Sequence, residues 1–292
     1  MEGFSRELVM DAQALALSVG VKRAAMRSYR QLAKWREWSW GEGNQLMSMP
    51  SLANQTIWIT GAKRIGQQVA RALAEAGAGL VISYRSSKSE AEAVAHEVAA
   101  IGREARLIHC DTSARESVAR AVEEMKESIS KLDGLVLMAS IFSPMPLEAI
   151  TEASWDDYFA THVKGTFWPI QLSLPLLNPG AHIITVADRT AIGQVYPGYL
   201  PYVVSKGAVA HLTKALAAEL GPRGIFINAI GPGPILKPED ITREAWQAIR
   251  ATSSINYPIT DEEAVEDFVA TVVRLLSVRS SGGVYAVDLG HL

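Results

Sequence analysis

A short apolar run enters a glycine-containing turn in the segment Thr56-Ile57-Trp58-Ile59-Thr60-Gly61-Ala62-Lys63-Arg64-Ile65-Gly66, and helical periodicity follows as far as Ala76. Glycines where a strand passes into a helix allow the backbone to approach a pyrophosphate, and the helix N-terminus adds free N–H donors. The segment therefore predicts a βα unit whose turn binds a dinucleotide through Gly61, Lys63, Arg64, Ile65 and Gly66. A plain tight turn is the alternative for this segment taken by itself.

The rest of the chain repeats this alternation of short apolar runs and longer amphipathic stretches. The predicted strands are Thr56–Thr60, Leu80–Tyr84, Ala105–His109, Gly134–Ala139, His182–Val186, Ile225–Ile230 and Val284–Val287. The predicted helices are Ile65–Ala76, Ser89–Ile101, Ala114–Ser130, Trp155–Leu176, Tyr202–Leu220 and Glu262–Leu276. Apolar strands separated by helices are typical of a parallel sheet covered on both faces. The sequence thus predicts a single α/β domain over residues 51–292: a doubly wound parallel sheet with helices on both faces.

Composition excludes several classes of function. The 292 residues are 48% hydrophobic, their formal net charge is −3, and Cys110 is the one cysteine. A nearly neutral chain has no basic footprint for nucleic acid, and one cysteine forms neither a disulfide framework nor a cysteine metal site. No apolar run approaches the roughly 20 residues that span a membrane. We expect a cytoplasmic protein without a metal ion, nucleic-acid partner or membrane segment.

Residues 1–50 differ from the rest of the chain. They contain Trp35, Trp38 and Trp40, a basic stretch over Lys22–Arg36, and apolar residues at helical spacing. We predict an N-terminal helical arm of unknown role that packs on the body or on another subunit. The acidic residues near its start argue against a signal or transit peptide, although the basic second half suits a transit peptide.

Tyr202 and Lys206 lie four residues apart in a predicted helix. Residues at this spacing share one helix face, about 5–6 Å apart at Cβ. An ammonium beside a phenol favours the phenolate and lowers the tyrosine pKa toward working pH. The pair is thus a candidate acid with its tuning group, or alternatively two ordinary helix neighbours.

The ends of the second and third predicted strands carry side chains that suit a dinucleotide. The second strand ends in Tyr84-Arg85-Ser86. An acidic residue at this place selects NAD, whereas an arginine accommodates the 2′-phosphate of NADP. Arg85 therefore predicts NADPH, unless it is only a solvated arginine at a strand end. Asp111 follows the third strand, where it either contacts the adenine or caps the next helix.

Further motifs complete a pattern that resembles the short-chain dehydrogenase/reductase family over residues 52–292. The motifs are the glycine turn, Tyr202-x-x-x-Lys206, Asn228-Ala229-Ile230-Gly231-Pro232-Gly233-Pro234 and Val287-Asp288-Leu289-Gly290. The resemblance implies a Rossmann-type fold and an oxidoreductase. Within the family the chain looks most like the pteridine reductases, which share Lys63-Arg64, the segment Ala139–Leu147 and an aspartate at Asp188.

The resemblance implies a role for each matching residue. Tyr202 would donate or relay a proton, Lys206 would bind the nicotinamide ribose, and Asp188 would deliver a proton to a pterin nitrogen. His162 stands where the family has an asparagine that holds a relay water, and imidazole titrates near neutrality. The implied substrate-binding residues are Arg64, Ser140, Phe142, Asp188 and Tyr202. The implied cofactor contacts after the third strand are Ala139, Ser140, Tyr202, Lys206, Pro232, Gly233 and Ile235.

Several features depart from the family pattern. The glycine loop is one residue shorter and lacks its middle glycine, and Leu137-Met138 replaces a pair of asparagines. The resemblance implies a mobile substrate lid over Ile235–Pro258, in which Trp246 and Tyr257 either line the site or merely pack. It also implies a homotetramer, with the helices Trp155–Leu176 and Tyr202–Leu220 between subunits.

Three functions remain open at this point. The favoured one is hydride transfer from NADPH to a pterin or related unsaturated small molecule. The second is reduction of a carbonyl, as in a 3-oxoacyl thioester or a quinone. The third is a non-catalytic NADP-binding sensor or scaffold, suggested by the shortened loop but disfavoured because Tyr202, Lys206 and Asp188 are all present.

Overall fold

The computed structural model of the protein describes residues 50–193, 195–238, 241–255 and 259–291. In this part of the chain seven strands form a parallel sheet in the order β3-β2-β1-β4-β5-β6-β7. The strands are β1 Thr56–Thr60, β2 Gly79–Tyr84, β3 Ala105–His109, β4 Leu132–Leu137, β5 Leu177–Val186, β6 Phe226–Pro232 and β7 Val284–Val287. The predicted doubly wound fold is confirmed.

Eight α-helices connect these strands within the described residues. They are α1 Ile65–Glu75, α2 Lys88–Ala100, α3 Arg115–Ser128, α4 Glu152–Phe159, α5 Gly165–Ser173, α6 Leu200–Leu220, α7 Arg243–Arg250 and α8 Asp261–Leu275. Side chains of α1, α2 and α8 pack on one face of the sheet, and side chains of α3, α5 and α6 pack on the other. The strand order reverses direction beside β1, and this switch point is where α/β sheets bind ligands.

The first strand shows how the sequence divides between the two faces. Ile57 and Ile59 enter the core under α1 and α2, while Trp58 enters the opposite core beside Val118 and Ile183. All three side chains of β1 are fully buried. Successive strand residues point to opposite faces, so an uninterrupted apolar run fills both layers. Burial of a side chain of this size stabilises the fold by about 1.5–3 kcal/mol.

The predicted helix Trp155–Leu176 is not continuous. Helix α4 passes through a π-helical turn, Ala160–Lys164, before α5 begins at Gly165. Gly165 lies so close to the loop after β3 that a Cβ would stand 3.1 Å from Thr112 Oγ1. The extra residue of a π turn rotates the following side chains, and such turns are frequent at functional sites. The turn buries His162 among the candidate site residues.

The predicted arm over residues 1–50 falls, except for Pro50, outside the described residues. Helix α7 was not predicted; it begins at the N-cap Thr242, whose side chain accepts a hydrogen bond from the Ala245 N–H. Thr242, a favoured N-cap residue ahead of a short amphipathic stretch, was the signal available in the sequence.

Candidate active site

A cleft of about 430 Å³ opens at the carboxyl ends of β1, β2, β3 and β4. Most of the predicted cofactor-binding residues line it. They are Gly61, Lys63, Arg64, Ile65, Tyr84, Arg85, Ser86, Asp111, Ala139 and Ser140. Gly66, Tyr202, Lys206, Pro232, Gly233 and Ile235 are not among the residues that line this cleft. The cleft therefore brings together the residues that were predicted to contact the adenosine and phosphates of the cofactor.

Two glycines shape the turn between β1 and α1. Gly61 has a φ of +73°, and a Cβ there would lie 2.8 Å from the carbonyl carbon of Met138. A Cβ at Gly66 would lie 2.1 Å from the carbonyl oxygen of Gly61. Both positions therefore require glycine, because any side chain would meet backbone. The cradle they leave, open at the N-terminus of α1, suits the pyrophosphate of a dinucleotide.

Arg64 is the residue of this turn that takes an unusual conformation. Its φ is +56° although it is not glycine, and conformations of this kind cost about 1–3 kcal/mol. Its guanidinium Nη2 donates hydrogen bonds to the carbonyl oxygens of Leu236 and Lys237, at 3.2 and 2.7 Å. These two bonds connect the glycine turn to the segment that follows β6.

Three charged side chains, those of Lys63, Arg85 and Glu90, lie where β2 meets α2. Arg85 is exposed at the edge of the cleft. The ammonium of Lys63 forms an ion pair of 2.5 Å with the carboxylate of Glu90 on α2. Hydrogen bonds from Lys63, from the Glu90 backbone and from Ser89 lower the pKa of Glu90 to about 2. Glu90 was not predicted as a site residue; it comes five residues after Arg85.

Hydrogen bonds fix the two loops that face each other across the cleft. The Oδ1 atom of Asp111 accepts bonds from the N–H and the hydroxyl of Ser113, at 3.0 and 2.6 Å. Asp111 therefore stabilises its own turn as well as lining the cleft. The hydroxyl of Thr60 accepts the N–H groups of Met138 and Ala139 at 3.1 and 3.3 Å. Thr60 thus anchors the end of β4 in a chain that lacks the asparagine pair.

Asp188 and Tyr202 form a direct hydrogen bond. The Tyr202 hydroxyl donates to Oδ2 of Asp188 at 2.8 Å, and Oδ1 of Asp188 accepts the N–H of Thr190 at 2.9 Å. Both side chains are 7% exposed. Asp188 lies two residues after the end of β5 and Tyr202 lies in the first turn of α6, so two separate elements fix the pair.

Lys206 completes this group, but the net pKa of Tyr202 is raised and not lowered as predicted. Its ammonium donates to the Val186 carbonyl at 2.8 Å and lies 5.8 Å from the centroid of the Tyr202 ring. Burial raises the pKa of Tyr202 well above its ordinary value, and the Asp188 charge raises it further. The prediction that Lys206 lowers the tyrosine pKa is not met in this structure, because burial and the carboxylate dominate. Burial lowers the pKa of Lys206 itself to about 8.

The predicted residue His162 lies beside the same tyrosine. Its ring contacts the rings of Tyr202 and Tyr158 edge-on, each at 5.6 Å between centroids. It is 1% exposed, and burial is the main reason that its pKa falls to about 3. The side chain therefore does not titrate near neutrality, which differs from the expectation for an imidazole in this position.

The ring of Phe142 contacts the rings of two other aromatic side chains, Tyr199 and Tyr202. Its ring stacks on Tyr199, with 4.6 Å between centroids and 12° between planes, and meets Tyr202 edge-on at 4.8 Å. The side chain is still 43% exposed. One face of Phe142 is thus occupied within the protein, and a ligand would have to use the remaining exposed surface or displace Tyr199.

The remaining predicted residues lie at the end of β6 and in the segment that follows it. Pro232 and Gly233 close β6, where the Gly233 N–H donates to the Val287 carbonyl at 3.0 Å, and Ile235 is buried. Trp246 is 6% exposed and donates to Asp261 at 3.0 Å, so it packs within the fold. Tyr257, the other candidate of the lid, lies outside the described residues.

Some residues that line the cleft were not predicted as site residues, among them Thr112 and Thr161. Thr112 directly follows the predicted Asp111 and could have been found from it, whereas Thr161 lies in the π turn. Among the described residues no group of three or more His, Cys, Asp or Glu side chains is arranged to hold a metal ion. The described helices include none long and apolar enough to cross a membrane.

Comparison with known proteins gives consistent results. A family model described as enoyl-(acyl carrier protein) reductase matches residues 61–291. The 3-oxoacyl-[acyl-carrier-protein] reductase FabG of Staphylococcus epidermidis is 36% identical over 231 residues, covering 78% of this chain and 93% of that protein. FabG of Staphylococcus aureus is 33% identical over 226 residues, covering 76% of this chain and 90% of that protein.

Solved structures agree with these sequence matches. A dehydrogenase/reductase from Sinorhizobium meliloti superposes with a TM-score of 0.76 at 32% identity, covering 85% of this chain and 99% of that one. A blue fluorescent protein from a metagenomic library, solved with NADPH, gives a TM-score of 0.74 at 31% identity, covering 82% and 99%. Fold and relatives together define an oxidoreductase that uses a nicotinamide dinucleotide. The chain belongs to the short-chain dehydrogenase/reductase family.

Proposed function

We propose that this protein is an NADPH-dependent reductase that reduces the carbonyl group of a 3-oxoacyl thioester or a related small molecule. The observation that carries the proposal is the buried group of Tyr202, Asp188 and Lys206. A phenol held by a carboxylate, with an ammonium nearby, is equipped to deliver a proton within a water-poor site.

The cofactor part of the proposal rests on the cleft. The glycine cradle at Gly61 and Gly66 would take the pyrophosphate, and Arg85 with Ser86 and Lys63 would take the 2′-phosphate that distinguishes NADPH from NADH. The bound cofactor supplies the hydride. The protein then has to exclude water, hold the substrate and provide the proton.

Tyr202 is the proposed proton donor. Its raised pKa keeps the phenol protonated across the neutral range, so the acid is ready when negative charge develops on the substrate oxygen. The carbonyl becomes an alcohol when its carbon gains the hydride and its oxygen gains this proton. Lys206 would then stabilise the tyrosinate that remains, since an ammonium close to a phenolate favours the charged form.

The relatives support carbonyl reduction more than pterin reduction. Those compared above include two described as 3-oxoacyl-[acyl-carrier-protein] reductases, at 36% and 33% identity. This changes the order of the two candidates from that of the sequence analysis, which placed the pterin first.

The pterin remains a second candidate because of one specific contact. Asp188, where most of the family has a serine, bonds directly to Tyr202. A carboxyl–phenol pair is well matched to protonating a ring nitrogen, whereas serine mainly orients a carbonyl. The half-exposed Phe142 offers an aromatic surface nearby.

A substrate panel tests the proposal. Purified protein should oxidise NADPH when given acetoacetyl thioesters, and the same preparation should be assayed with dihydrobiopterin, dihydrofolate and quinones. Turnover of the pterins without turnover of the thioesters would reverse the two candidates. NADPH binding without turnover of any of the four would favour the non-catalytic alternative.

We also propose a homotetramer, as the family resemblance implies. On α6, Val204 is 38% exposed and Leu200 is 42% exposed, which is consistent with an apolar surface that another subunit covers. Sedimentation equilibrium should give four times the chain mass of 31.6 kDa. A single-chain mass under the same conditions would contradict this assembly.

A further inference from the structure

His162 joins three parts of the candidate site through its ring nitrogens. Its Nε2 lies 3.2 Å from the N–H of Ile141 and 2.9 Å from the hydroxyl oxygen of Ser140, both in the loop after β4. Its Nδ1 lies 2.7 Å from the hydroxyl oxygen of Ser205 on α6. Ser205 in turn donates to the backbone carbonyl of Tyr202 at 2.9 Å. The ring therefore spans from the cleft to the turn of α6 that carries the tyrosine.

These contacts decide which ring nitrogen carries the proton. A backbone N–H is always a donor, so the bond from Ile141 requires Nε2 to be an acceptor. In a neutral imidazole the other nitrogen then carries the hydrogen, and Nδ1 donates to Ser205. This assignment agrees with Ser205, whose own hydrogen is directed to the Tyr202 carbonyl. Nε2 also lies 2.9 Å from the Ser140 hydroxyl, which can donate either to this nitrogen or to the Ile141 carbonyl at 3.4 Å.

The charged and titratable surroundings keep the ring neutral. Tyr158 of α4 and Tyr202 of α6 contact it with their rings, and Lys206 of α6 is the nearby cation. Burial is the main cause that lowers the His162 pKa and the Lys206 charge lowers it further, while a backbone hydrogen bond of Ile141 raises it and is outweighed. In the neutral ring Nε2 accepts from Ile141 and Nδ1 donates to Ser205. The ring therefore has no free proton to pass to a substrate or to Lys206.

We infer that His162 is a positioning residue, fixed as the Nδ1–H tautomer, which holds the Ser140–Ile141 backbone against the helix turn of Tyr202. It replaces the relay role that the resemblance implied. The loop it holds contributes Ser140 and Ile141 to the cleft, so its position controls how well a ligand fits there. The effect on ligands rests on the proposed function, but the tautomer and the hydrogen bonds do not.

Side-chain nitrogen NMR tests the hydrogen bonds directly. In uniformly ¹⁵N-labelled protein the six histidines give separate ring signals, and His162→Gln identifies the one in question. We expect Nδ1 to be protonated and Nε2 to be unprotonated at every pH between about 5 and 8. A ring protonated at Nε2, or one that titrates within that range, would overturn the inference whatever the enzyme turns over.

Kinetics test the positioning role. His162→Gln retains an acceptor near the Nε2 position, whereas His162→Phe retains the shape without an acceptor. We expect KM for NADPH or substrate to rise at least tenfold in the Phe variant and less in the Gln variant, with the pH dependence of kcat unchanged in both. The exposed His96→Gln is the matched control and should behave as the wild type.

Two kinetic outcomes would contradict the inference. If His162 relays protons, both variants should lose kcat equally and the pH profile should shift. Equal KM in all variants would show that the loop does not depend on His162. Should the Phe variant not fold, the comparison of the Gln variant with wild type still decides between the two roles.

Discussion

The Tyr202 hydroxyl donates a 2.8 Å hydrogen bond to Asp188, and this bond joins the end of a strand to the first turn of a helix. The tyrosine proton is therefore held between two oxygens before any substrate arrives. Replacing Tyr202 by Phe removes that proton and little volume. We expect kcat to fall at least a thousandfold while the Kd for NADPH changes less than threefold, as measured by steady-state kinetics and fluorescence titration. Retention of more than a tenth of the activity would rule Tyr202 out as the donor.

Replacing Asp188 by Asn should move the basic limb of the pH–rate profile. The Asp188 carboxylate is one cause of the raised pKa of Tyr202, after burial. Without this negative charge the phenol loses its proton at lower pH, so the activity of a protonated donor should decline at lower pH than in the wild type. The measurement is kcat/KM from pH 6 to about 11. A basic limb at the same pH in both proteins would show that the carboxylate does not influence the reacting tyrosine.

Glu90→Gln should tighten NADPH binding. The Glu90 carboxylate occupies the ammonium of Lys63 and adds a negative charge near the proposed 2′-phosphate site. Its removal should lower the Kd for NADPH about two- to fivefold at low salt, and less at high salt, while the Kd for NADH stays constant. Glu92→Gln is the matched control, because that residue pairs with Lys88 at 3.6 Å on the same helix. Equal effects of the two variants would exclude a specific role for Glu90.

Arg85→Ala should reduce the preference for the phosphorylated cofactor. Arg85 is the exposed cation at the end of β2 that we assign to the 2′-phosphate. We expect the ratio of kcat/KM for NADPH to that for NADH to fall at least tenfold, because the charge-assisted bonds to phosphate are lost. A wild-type protein that prefers NADH would refute the assignment before any variant is made.

Gly61→Ala should impair both stability and cofactor binding. The added methyl would meet the Met138 backbone at 2.8 Å, at a residue whose φ is +73°. We expect a loss of about 1–3 kcal/mol in the free energy of unfolding and a NADPH Kd raised more than tenfold. Gly221→Ala is the control, since its Cβ meets nothing within 4 Å and its φ is −53°. Similar losses in both variants would show that the cradle is not specifically constrained.

Acid should destabilise the protein partly through His162. Its pKa is lowered from 6.5 to about 3 in the folded state, so the unfolded chain binds more protons between these values. The contribution of the neutral His162 ring to the free energy of unfolding is fully present above about pH 6.5 and is lost as the pH falls toward 3. At pH 5 this one residue should account for about 2 kcal/mol relative to pH 7. Urea unfolding at both pH values should show a smaller difference in His162→Gln, and an unchanged difference would contradict the neutral state.

Much of the fold could be predicted because its signals are local. The apolar run of β1 needs no neighbours to be recognised as a buried strand, and its alternation into two cores follows from strand geometry. The π turn at Ala160–Lys164 was not predictable in this way, since it depends on close packing of Gly165 against Thr112.

The same distinction between local and long-range signals applies to the candidate site. Spacing placed Tyr202 and Lys206 on one helix, and the structure brings Asp188 and His162 to them. The direction of the tyrosine pKa could not be read from spacing, because it is set by burial and by a residue 14 positions away. The stacking of Phe142 on Tyr199 likewise depends on loop positions that local patterns do not specify.

The two bonds from Arg64 to the carbonyls of Leu236 and Lys237 have a kinetic consequence. A guanidinium that turns toward the phosphates of an incoming dinucleotide gives up these carbonyls, which frees the segment after β6. Cofactor entry and the opening of the substrate side would then be one event. We therefore expect the nucleotide to bind before the second substrate and the oxidised nucleotide to leave last, an order that product-inhibition kinetics would reveal.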